Sequence, residues 1–269
     1  ETAVTYLGDV WGQNIDGEGQ KDAYPVFSDA KVYRAKNCMD QPYGYSNTEG
    51  KPLGHSYENG FCTLCDGYES AAGSGTETDP YQIGTLEELI LFRDSVNAGE
   101  TRYNAAGVYV ALTANIDMAG IDWSVNIGDD CNATFDGIFN GNNKTVGDFK
   151  VTTQEGHAGL FGNARAIIKD LTVVNVTIVA NHYAGAIVGQ GYVKMNNCHA
   201  NNIDITLSTK DGDWGDKAGG LVGQNCEGAN MYITNSTAKN VKIQGYRDLG
   251  GIAGMAHSGN KVTGCSVEN

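Results

Sequence analysis

The sequence predicts an all-β fold: a single-stranded right-handed parallel β-helix with an N-terminal capping helix and a small irregular N-terminal Cys/His segment. One phrase occurs four times, as HAGLFG, AGAIVG, AGGLVG and LGGIAG, ending at Gly162, Gly189, Gly223 and Gly254. A second phrase after each copy contains a column of asparagines, namely Asn175, Asn202, Asn240 and Asn269. Spacings of 27, 34 and 31 residues between the glycines are typical of one coil per repeat, with the length differences placed in loops.

The asparagine column marks a corner in each coil. Apolar residues alternate with polar ones on both sides of it, but the inward parity changes between Val173 and Val176. Asparagine tolerates the left-handed backbone of a corner, and its amide can bond to the same residue in the next layer. We therefore expect a stacked polar ladder. The small residues that recur at inward positions predict a narrow tube with closely packed sheets. The alternative, a run of amphipathic helices, does not fit the period of two.

Elements upstream of the repeats are expected to close the tube. In the segment from Gly84 to Gly99, Thr85 and Glu88 form a capping box for a helix, and Gly99 ends it. Residues 108–113 alternate as a first strand, and the turn-rich stretch from Phe135 predicts early coils. The predicted domains are a linker and cysteine-rich segment over 1–72 and a β-helix over 73–269, divided into a cap over 73–130 and coils over 131–269.

Composition limits the function classes. The chain has 18 basic and 32 acidic side chains and a net charge of −14, which disfavours a nucleic-acid partner. No stretch approaches the roughly 18 apolar residues of a membrane-spanning helix, so no membrane insertion is expected. The first ten residues lack a basic start and an apolar block, so we expect any export signal to be removed or to lie outside this sequence.

The last repeat stops at Asn269 without the strand that follows the asparagine in the other three copies. A coil that ends there exposes an open edge. We expect that the natural protein continues or that this edge pairs with another chain.

Five of the seven cysteines fall into two groups. Cys198 and Cys265 share an inward column two coils apart, about 9.6 Å at 4.8 Å per layer, which is too far for a disulfide and predicts buried thiols. A second set could bind structural zinc, because a Cys-x-x-Cys turn supplies two thiolates and a distant Cys and His close the tetrahedron. Its members are Cys38, His55, Cys62 and Cys65. A disulfide from Cys62 to Cys65 or to Cys38, or free thiols, are the alternatives.

An acidic segment with an aromatic residue lies in the longest loop, between Ile205 and Gly219. Its carboxylates could bind calcium, and Trp214 could stack on a sugar ring. The carboxylates are Asp211, Asp213 and Asp216. An ordinary solvated acidic loop is the alternative, and we favour it. The sequence shows no carboxylate pair for glycoside hydrolysis and no nucleophile elbow, so a non-enzyme is the preferred interpretation.

Several ordered phrases resemble the GLUG-motif repeat family of secreted bacterial surface proteins. They are DPYQIGTLEELILFRDSVNAG from Asp79, YVALTANIDMAG from Tyr109, IGDDCNATFDGIFNGNNKTV from Ile127, and then AGLFG, AGGLVG and GGIAG. The resemblance covers about residues 73–269 and implies a parallel β-helix on an exported, wall-attached or released protein. The GHSYENGFCTLC stretch from Gly54 is similar to GHxYxNGxCxxC segments found beside such domains.

These observations lead to an expected function. We expect a non-catalytic, adhesin-like bacterial module, secreted or attached to the cell surface, that binds carbohydrate or a host or neighbouring-cell protein. For carbohydrate, Trp214 and Tyr246 would stack on the sugar and Asp213 would make a polar contact. The alternatives are a polysaccharide lyase or hydrolase on a β-helix scaffold and a purely structural spacer.

Overall fold

The chain forms two compact units, Glu1–Ser70 and Ala71–Asn269. This computed structural model describes residues 72–128, 134–153, 156–208, 216–226 and 230–269, together with six short strands before residue 72. The first unit contains three antiparallel strand pairs. They are β1 (Trp11–Gly12) with β2 (Val26–Phe27), β3 (Tyr33–Ala35) with β4 (Gly44–Ser46), and β5 (Tyr57–Glu58) with β6 (Phe61–Cys62).

The second unit contains the predicted capping helix, α1, over Leu86–Asn97, followed by the one-turn helix α2 over Thr101–Asn104. The Thr85 hydroxyl accepts a hydrogen bond from the Glu88 N–H at 3.2 Å, and the Glu88 carboxylate accepts one from the Thr85 N–H at 3.1 Å. The capping box is therefore confirmed. Gly99 follows α1 with a φ of +75°, as expected of the residue that ends it. Across the described segments, neither helix has the length and apolar content needed to cross a bilayer.

After the cap, the chain winds into a parallel β-solenoid of about six turns, which confirms the predicted fold class. Its largest sheet has twelve strands. These are β7 (Tyr81–Ile83), β8 (Tyr109–Leu112), β9 (Ile116–Asp117), β10 (Ile138–Gly147), β11 (Lys150–Thr152), β14 (Ile167–Ala180), β17 (Lys194–Asn196), β18 (His199–Leu207), β21 (Tyr232–Thr234), β22 (Thr237–Gln244), β25 (Lys261–Thr263) and β26 (Ser266–Glu268).

Two four-stranded parallel sheets complete the tube. One contains β12 (His157–Ala158), β15 (Tyr183–Gly185), β19 (Lys217–Gly219) and β23 (Leu249–Gly250). The other contains β13 (Phe161–Ala164), β16 (Val188–Gly191), β20 (Val222–Asn225) and β24 (Ala253–Met255). Each repeat thus supplies one strand to each of the two small sheets and a longer segment to the large sheet.

The strand register aligns the inward residues that stand two positions before the asparagines. Val173 pairs with Ala200, Ala200 with Ala238, and Ala238 with Val267. The first three are fully buried, whereas Val267 in the last coil is 48% exposed. The buried side chains form one continuous core along the tube.

The asparagine ladder is also confirmed. Asn175, Asn202 and Asn240 have φ values of 54°, 62° and 50°, so each occupies the left-handed region expected at a corner. The Asn202 Nδ2 donates to the Asn175 Oδ1 at 2.8 Å, and the Asn175 Nδ2 donates to the Asp148 Oδ1 at 2.9 Å. Asn240 departs from the pattern, because its amide donates to Asn201 at 3.2 Å instead of to Asn202.

A second left-handed ladder lies five residues before the first, and the sequence analysis missed it. The Asn197 Nδ2 donates to the Asp170 Oδ1 at 2.8 Å. A signal was present, since a polar residue or glycine stands directly before each member of the column Leu171, Cys198, Ser236 and Cys265. The ladder consists of Asn143, Asp170, Asn197, Asn235 and Gly264, all with positive φ. Four successive coils, from the one with β10 to the one with β22, therefore turn two left-handed corners on their long segments.

The final glycines of the repeated phrase allow the two small sheets to touch through their backbones. A Cβ at Gly223 would lie 2.5 Å from the Gly189 carbonyl oxygen and 2.6 Å from the Ala184 nitrogen. At Gly254 it would lie 2.6 Å from the Ala218 nitrogen. No side chain fits at these positions, which confirms that the sheets pack closely inside a narrow tube.

Aromatic rings fill the core at the helix end of the tube. The Phe92 ring of α1 lies 5.2 Å from the Phe135 ring and 6.0 Å from the Phe139 ring, between centroids. Phe139 in turn lies 5.3 Å from Phe161. The helix therefore closes the core by inserting Phe92 among rings of the first coils, as expected of a cap.

Candidate functional site

The structure brings together the ends of two loops that the sequence analysis assigned to one site. The Tyr246 backbone N–H donates to the Asp216 Oδ2 at 3.2 Å, which joins the segment before β19 to the segment after β22. Asp216 is buried, and Tyr246 is 57% exposed. The buried carboxylate thus anchors the backbone of a residue whose aromatic ring faces solvent.

The other loop residues of that site lie outside the described residues. They are Asp211, Asp213 and Trp214. The calcium site of Asp211, Asp213 and Asp216 and the stacking role of Trp214 therefore stay predictions. Within the part of the chain that is described, no three His, Cys, Asp or Glu side chains are grouped as metal ligands.

Of the four predicted zinc ligands, one lies in a described strand. Cys62 ends β6, where its backbone pairs with that of Tyr57. Cys38, His55 and Cys65 lie outside the described residues. The zinc site, and the alternative of a disulfide, stay predictions.

Beside Asp216 lies a column of three different side chains in the first positions of neighbouring strands. His157, Tyr183 and Lys217 pair in register across β12, β15 and β19. The imidazole of His157 and the phenol ring of Tyr183 stack, with centroids 5.5 Å apart and planes at 25°. The Lys217 Nζ lies 5.1 Å from the centroid of the Tyr183 ring, as a cation–π contact. We call these three residues with Asp216 and Tyr246 the aromatic ledge.

The environment of Lys217 perturbs its titration. Burial lowers the pKa of Lys217, because the ammonium loses hydration. The negative charge of Asp248 opposes this decrease of the pKa, the positive charge of Arg247 adds to it, and the negative charge of Asp216 also opposes it. The His157 Nε2 is hydrogen-bonded to the side-chain oxygen of Gln190 in β16. The ledge is therefore held by a cation, a buried carboxylate and ring contacts on adjacent coils.

Sequence reasoning missed His157, Tyr183 and Lys217 as a group. Each stands directly before the Ala-Gly pair of a repeat, as His-Ala-Gly, Tyr-Ala-Gly and Lys-Ala-Gly. That position was the available signal, but the three side chains differ in chemistry, so a search for a repeated residue type could not find it.

Cys198 and Cys265 occupy the inward column, and Cys198 is buried as predicted. The prediction of a buried thiol is wrong for Cys265, which is only partly buried because no further coil covers the last one in this sequence. The Cys198 Sγ donates to the Ile168 carbonyl oxygen at 3.4 Å, and both cysteines are free thiols. Burial raises the pKa of the Cys198 thiol to about 12, an effect that backbone hydrogen bonds at Leu171 and Asn196 partly offset. Cys198 is therefore a structural thiol and not a nucleophile.

Comparison with known proteins gives one sequence relative and one structural neighbour. No protein-family model matches the chain. The chain is 31% identical over 173 residues to halomucin from Haloquadratum walsbyi, which is 59% of this chain and 2% of halomucin. It thus spans a small fraction of that relative's length. A proposed immunoglobulin A1 protease from Bacteroides ovatus aligns with 17% identity over 72% of this chain and 77% of the other, with a TM-score of 0.42. We draw neither fold nor activity from a similarity at that level.

Proposed function

We propose that this chain is a non-catalytic, adhesin-like surface module that binds carbohydrate at the aromatic ledge. The observation that carries the proposal is the anchored loop junction, in which buried Asp216 holds the backbone of exposed Tyr246. An exposed aromatic ring on a fixed backbone is suited to stacking on a sugar, because little backbone freedom remains to be lost on binding.

The charged groups of the ledge support binding in preference to catalysis. Asp216 accepts a hydrogen bond from the Tyr246 backbone, and the charge of Asp248 acts on Lys217. The Asp216 carboxylate thus has a structural role. A glycoside hydrolase needs one carboxyl group as acid and a second as base or nucleophile, at a set separation.

The test is a glycan-binding screen of the full chain with matched variants of Tyr246. We expect Tyr246→Ala to weaken binding of the captured glycan at least about tenfold, which corresponds to about 1.4 kcal/mol. Tyr246→Phe keeps the ring and should retain most of the affinity. Val125→Ala, at another exposed apolar residue, is the control for a general surface effect. Equal affinity of the wild type and Tyr246→Ala would remove the ledge as the site.

The same screen separates the alternatives. Each bound polysaccharide is incubated with the protein and assayed for new reducing ends and unsaturated products. Sustained product formation would replace the proposal with a lyase or hydrolase. A chain that neither binds nor degrades any glycan would leave a protein-binding module or a spacer.

We also propose an exported or surface-attached location and membership of the GLUG-motif family for residues 73–269. The four repeated glycine phrases support this, as does the similarity to a stretch of halomucin, a mucin by name. Protease treatment of intact cells tests the location. Loss of the protein from unlysed cells is expected, and full protection together with recovery in the cytosolic fraction would contradict it.

A further inference from the structure

A groove of about 330 Å³ lies on the outer surface where β10, β14 and β17 begin. It shares no residue with the aromatic ledge. Isoleucines and charged or aromatic side chains line it together. The lining includes Asp136, Ile138, Arg165, Ile167, Tyr192 and Lys194.

The parallel register explains why these side chains meet. Ile138, Ile167 and Lys194 stand opposite one another on successive coils. The isolated β-bridge between Phe135 and Ala164 has the same register as the pair Ile138 and Ile167, so Asp136 stands opposite Arg165. Arg165 and Tyr192 are likewise opposite, two residues before Ile167 and Lys194. Their neighbours along the chain, Ile168 and Val193, are buried, so the side chains of Ile167, Tyr192 and Lys194 face outward.

The charges in the groove are uneven. The Arg165 Nε lies 3.9 Å from the Asp136 Oδ1, and that carboxylate also accepts a hydrogen bond from the Thr134 hydroxyl at 2.6 Å. The Thr134 hydrogen bond holds Asp136 in place, and its carboxylate offsets only part of the Arg165 charge, because half of the Arg165 side chain is exposed to solvent. Lys194 makes no ion pair with any residue that the structure describes, and its side chain is exposed.

Basic residues continue beyond the groove on the same outer face. Tyr232 and Lys261 follow Lys194 in its column on the next two coils. Lys169 stands two residues after Ile167. The outward positions form three columns, which contain Arg165, Ile167 and Lys169 respectively. Among the described residues these columns carry one carboxylate and four cations, Arg165, Lys169, Lys194 and Lys261. In the whole chain, by contrast, acidic side chains outnumber basic ones by 32 to 18.

This combination of groups defines a ligand class. The exposed Ile167 and the Tyr192 ring offer apolar surface to a sugar ring, while Lys194 and Arg165 attract an anion. Lys194 and Lys261 are two coils apart, about 9.6 Å at 4.8 Å per layer. A chain of acidic sugars has separated charges that match this spacing. Nucleic acid has a much denser charge, about one phosphate per 3.4 Å of each strand, which does not match this spacing.

We propose that the groove at Asp136, Arg165, Tyr192 and Lys194 binds an acidic glycan, with Lys194 and Arg165 contacting its carboxylate or sulfate groups and Tyr192 contacting a sugar ring. The net charge of the protein does not prevent this, because at physiological salt the field of distant charges is screened beyond about 8 Å. The local cations then decide the interaction. The binding should weaken as salt is raised.

The test is calorimetric titration of the full chain with three probes: an oligogalacturonate, its methyl-esterified form and a heparin-derived oligosaccharide. We expect the oligogalacturonate or the sulfated probe to bind, and whichever binds identifies the anionic group. The methyl ester keeps the sugar but removes the charge and should bind at least about tenfold more weakly. A Lys194→Gln variant should lose about tenfold in affinity, equivalent to about 1.4 kcal/mol.

The control is Lys242→Gln, which removes an exposed lysine that pairs with Asp204 at 3.3 Å outside the groove. It should bind like the wild type. Equal affinity for the acid and its ester, equal affinity of wild type and Lys194→Gln, or no binding of either acidic probe would overturn the proposal.

Failure of this proposal is distinguishable from failure of the proposed function. Tyr246→Ala should lose the glycan of the aromatic ledge and keep the acidic probe. A protein that binds a glycan through Tyr246 but no acidic probe retains its ledge function and lacks the groove function.

Discussion

Replacing Gly223 by alanine should destabilise the solenoid by forcing two sheets apart. The added Cβ would lie 2.5 Å from the Gly189 oxygen, 2.6 Å from the Ala184 nitrogen and 2.9 Å from the Ala184 oxygen. All three atoms are backbone in neighbouring strands, so no rotamer change can relieve the overlap. Overpacking in a rigid core costs about 1–3 kcal/mol. Because the contacts come from two strands of the preceding coil, β15 and β16, which belong to different sheets, we expect a loss at the upper end, about 3 kcal/mol.

Thermal and urea unfolding of the purified chain measure this effect. For a unit of this size, 1 kcal/mol changes the Tm by about 2–4 °C, so we expect a decrease of about 6–12 °C. Gly245→Ala is the matched control. Its Cβ would meet only side-chain atoms, Leu249 Cδ2 at 3.1 Å and Leu207 Cβ at 3.4 Å. That variant should stay within about 1 kcal/mol of the wild type. If both variants unfold at the wild-type temperature, the close sheet contact is refuted.

Three other predictions concern the ladder, the buried thiol and the cysteine segment. Asn202→Ala should lower the free energy of unfolding by about 2 kcal/mol, since alanine is strained in a left-handed conformation and the bond to Asn175 is lost. Asn202→Gly should lose less stability than Asn202→Ala, because glycine adopts the left-handed backbone without strain. Equal losses in the two variants would contradict this reasoning. With its pKa raised to about 12, Cys198 should resist a disulfide reagent at pH 8 until the chain unfolds. Above about pH 9 the thiol ionises in the unfolded chain but not in the folded one, so the free energy of unfolding should decrease as the pH rises from about 9 toward 12. Cys198→Ala has no thiol and should lack this pH-dependent decrease. Elemental mass spectrometry should find close to one zinc per chain and less in Cys62→Ser; no zinc together with a disulfide would favour the oxidised alternative.

The predictable part of the fold is the part that repeats in residue type. Val173, Ala200 and Ala238 reveal an inward column because every coil needs a small or branched apolar residue there. Asn175, Asn202 and Asn240 reveal a corner because few other residues adopt a left-handed backbone cheaply. The second corner was not predicted, because asparagine, aspartate and glycine can all adopt its left-handed backbone and no single residue type repeats there, as Asn197, Asp170 and Gly264 show.

The functional surfaces were harder to predict because outward positions need not be alike. His157, Tyr183 and Lys217 meet through register alone, and only the pairing of β12, β15 and β19 places them together. The groove arises in the same way from Arg165, Tyr192 and Lys194. Tyr246 was selected from its loop position, but its anchor to Asp216 depends on a contact between loops of different length, which no repeat pattern specifies.

The aromatic packing around Phe92 also bears on the order in which the chain folds. Large rings concentrate at the helix end, whereas inward positions of later coils hold smaller groups, as at Cys198, Ala200 and Ala238. In a linear array each unit contacts mainly its neighbours, so growth can start at the most stable unit and propagate. We expect a nucleus at the cap, with later coils adding in sequence order on the edge already formed. Pulsed hydrogen exchange should then protect Val110 and Phe139 amides before those of Ala238, and the reverse order would exclude a cap-first route.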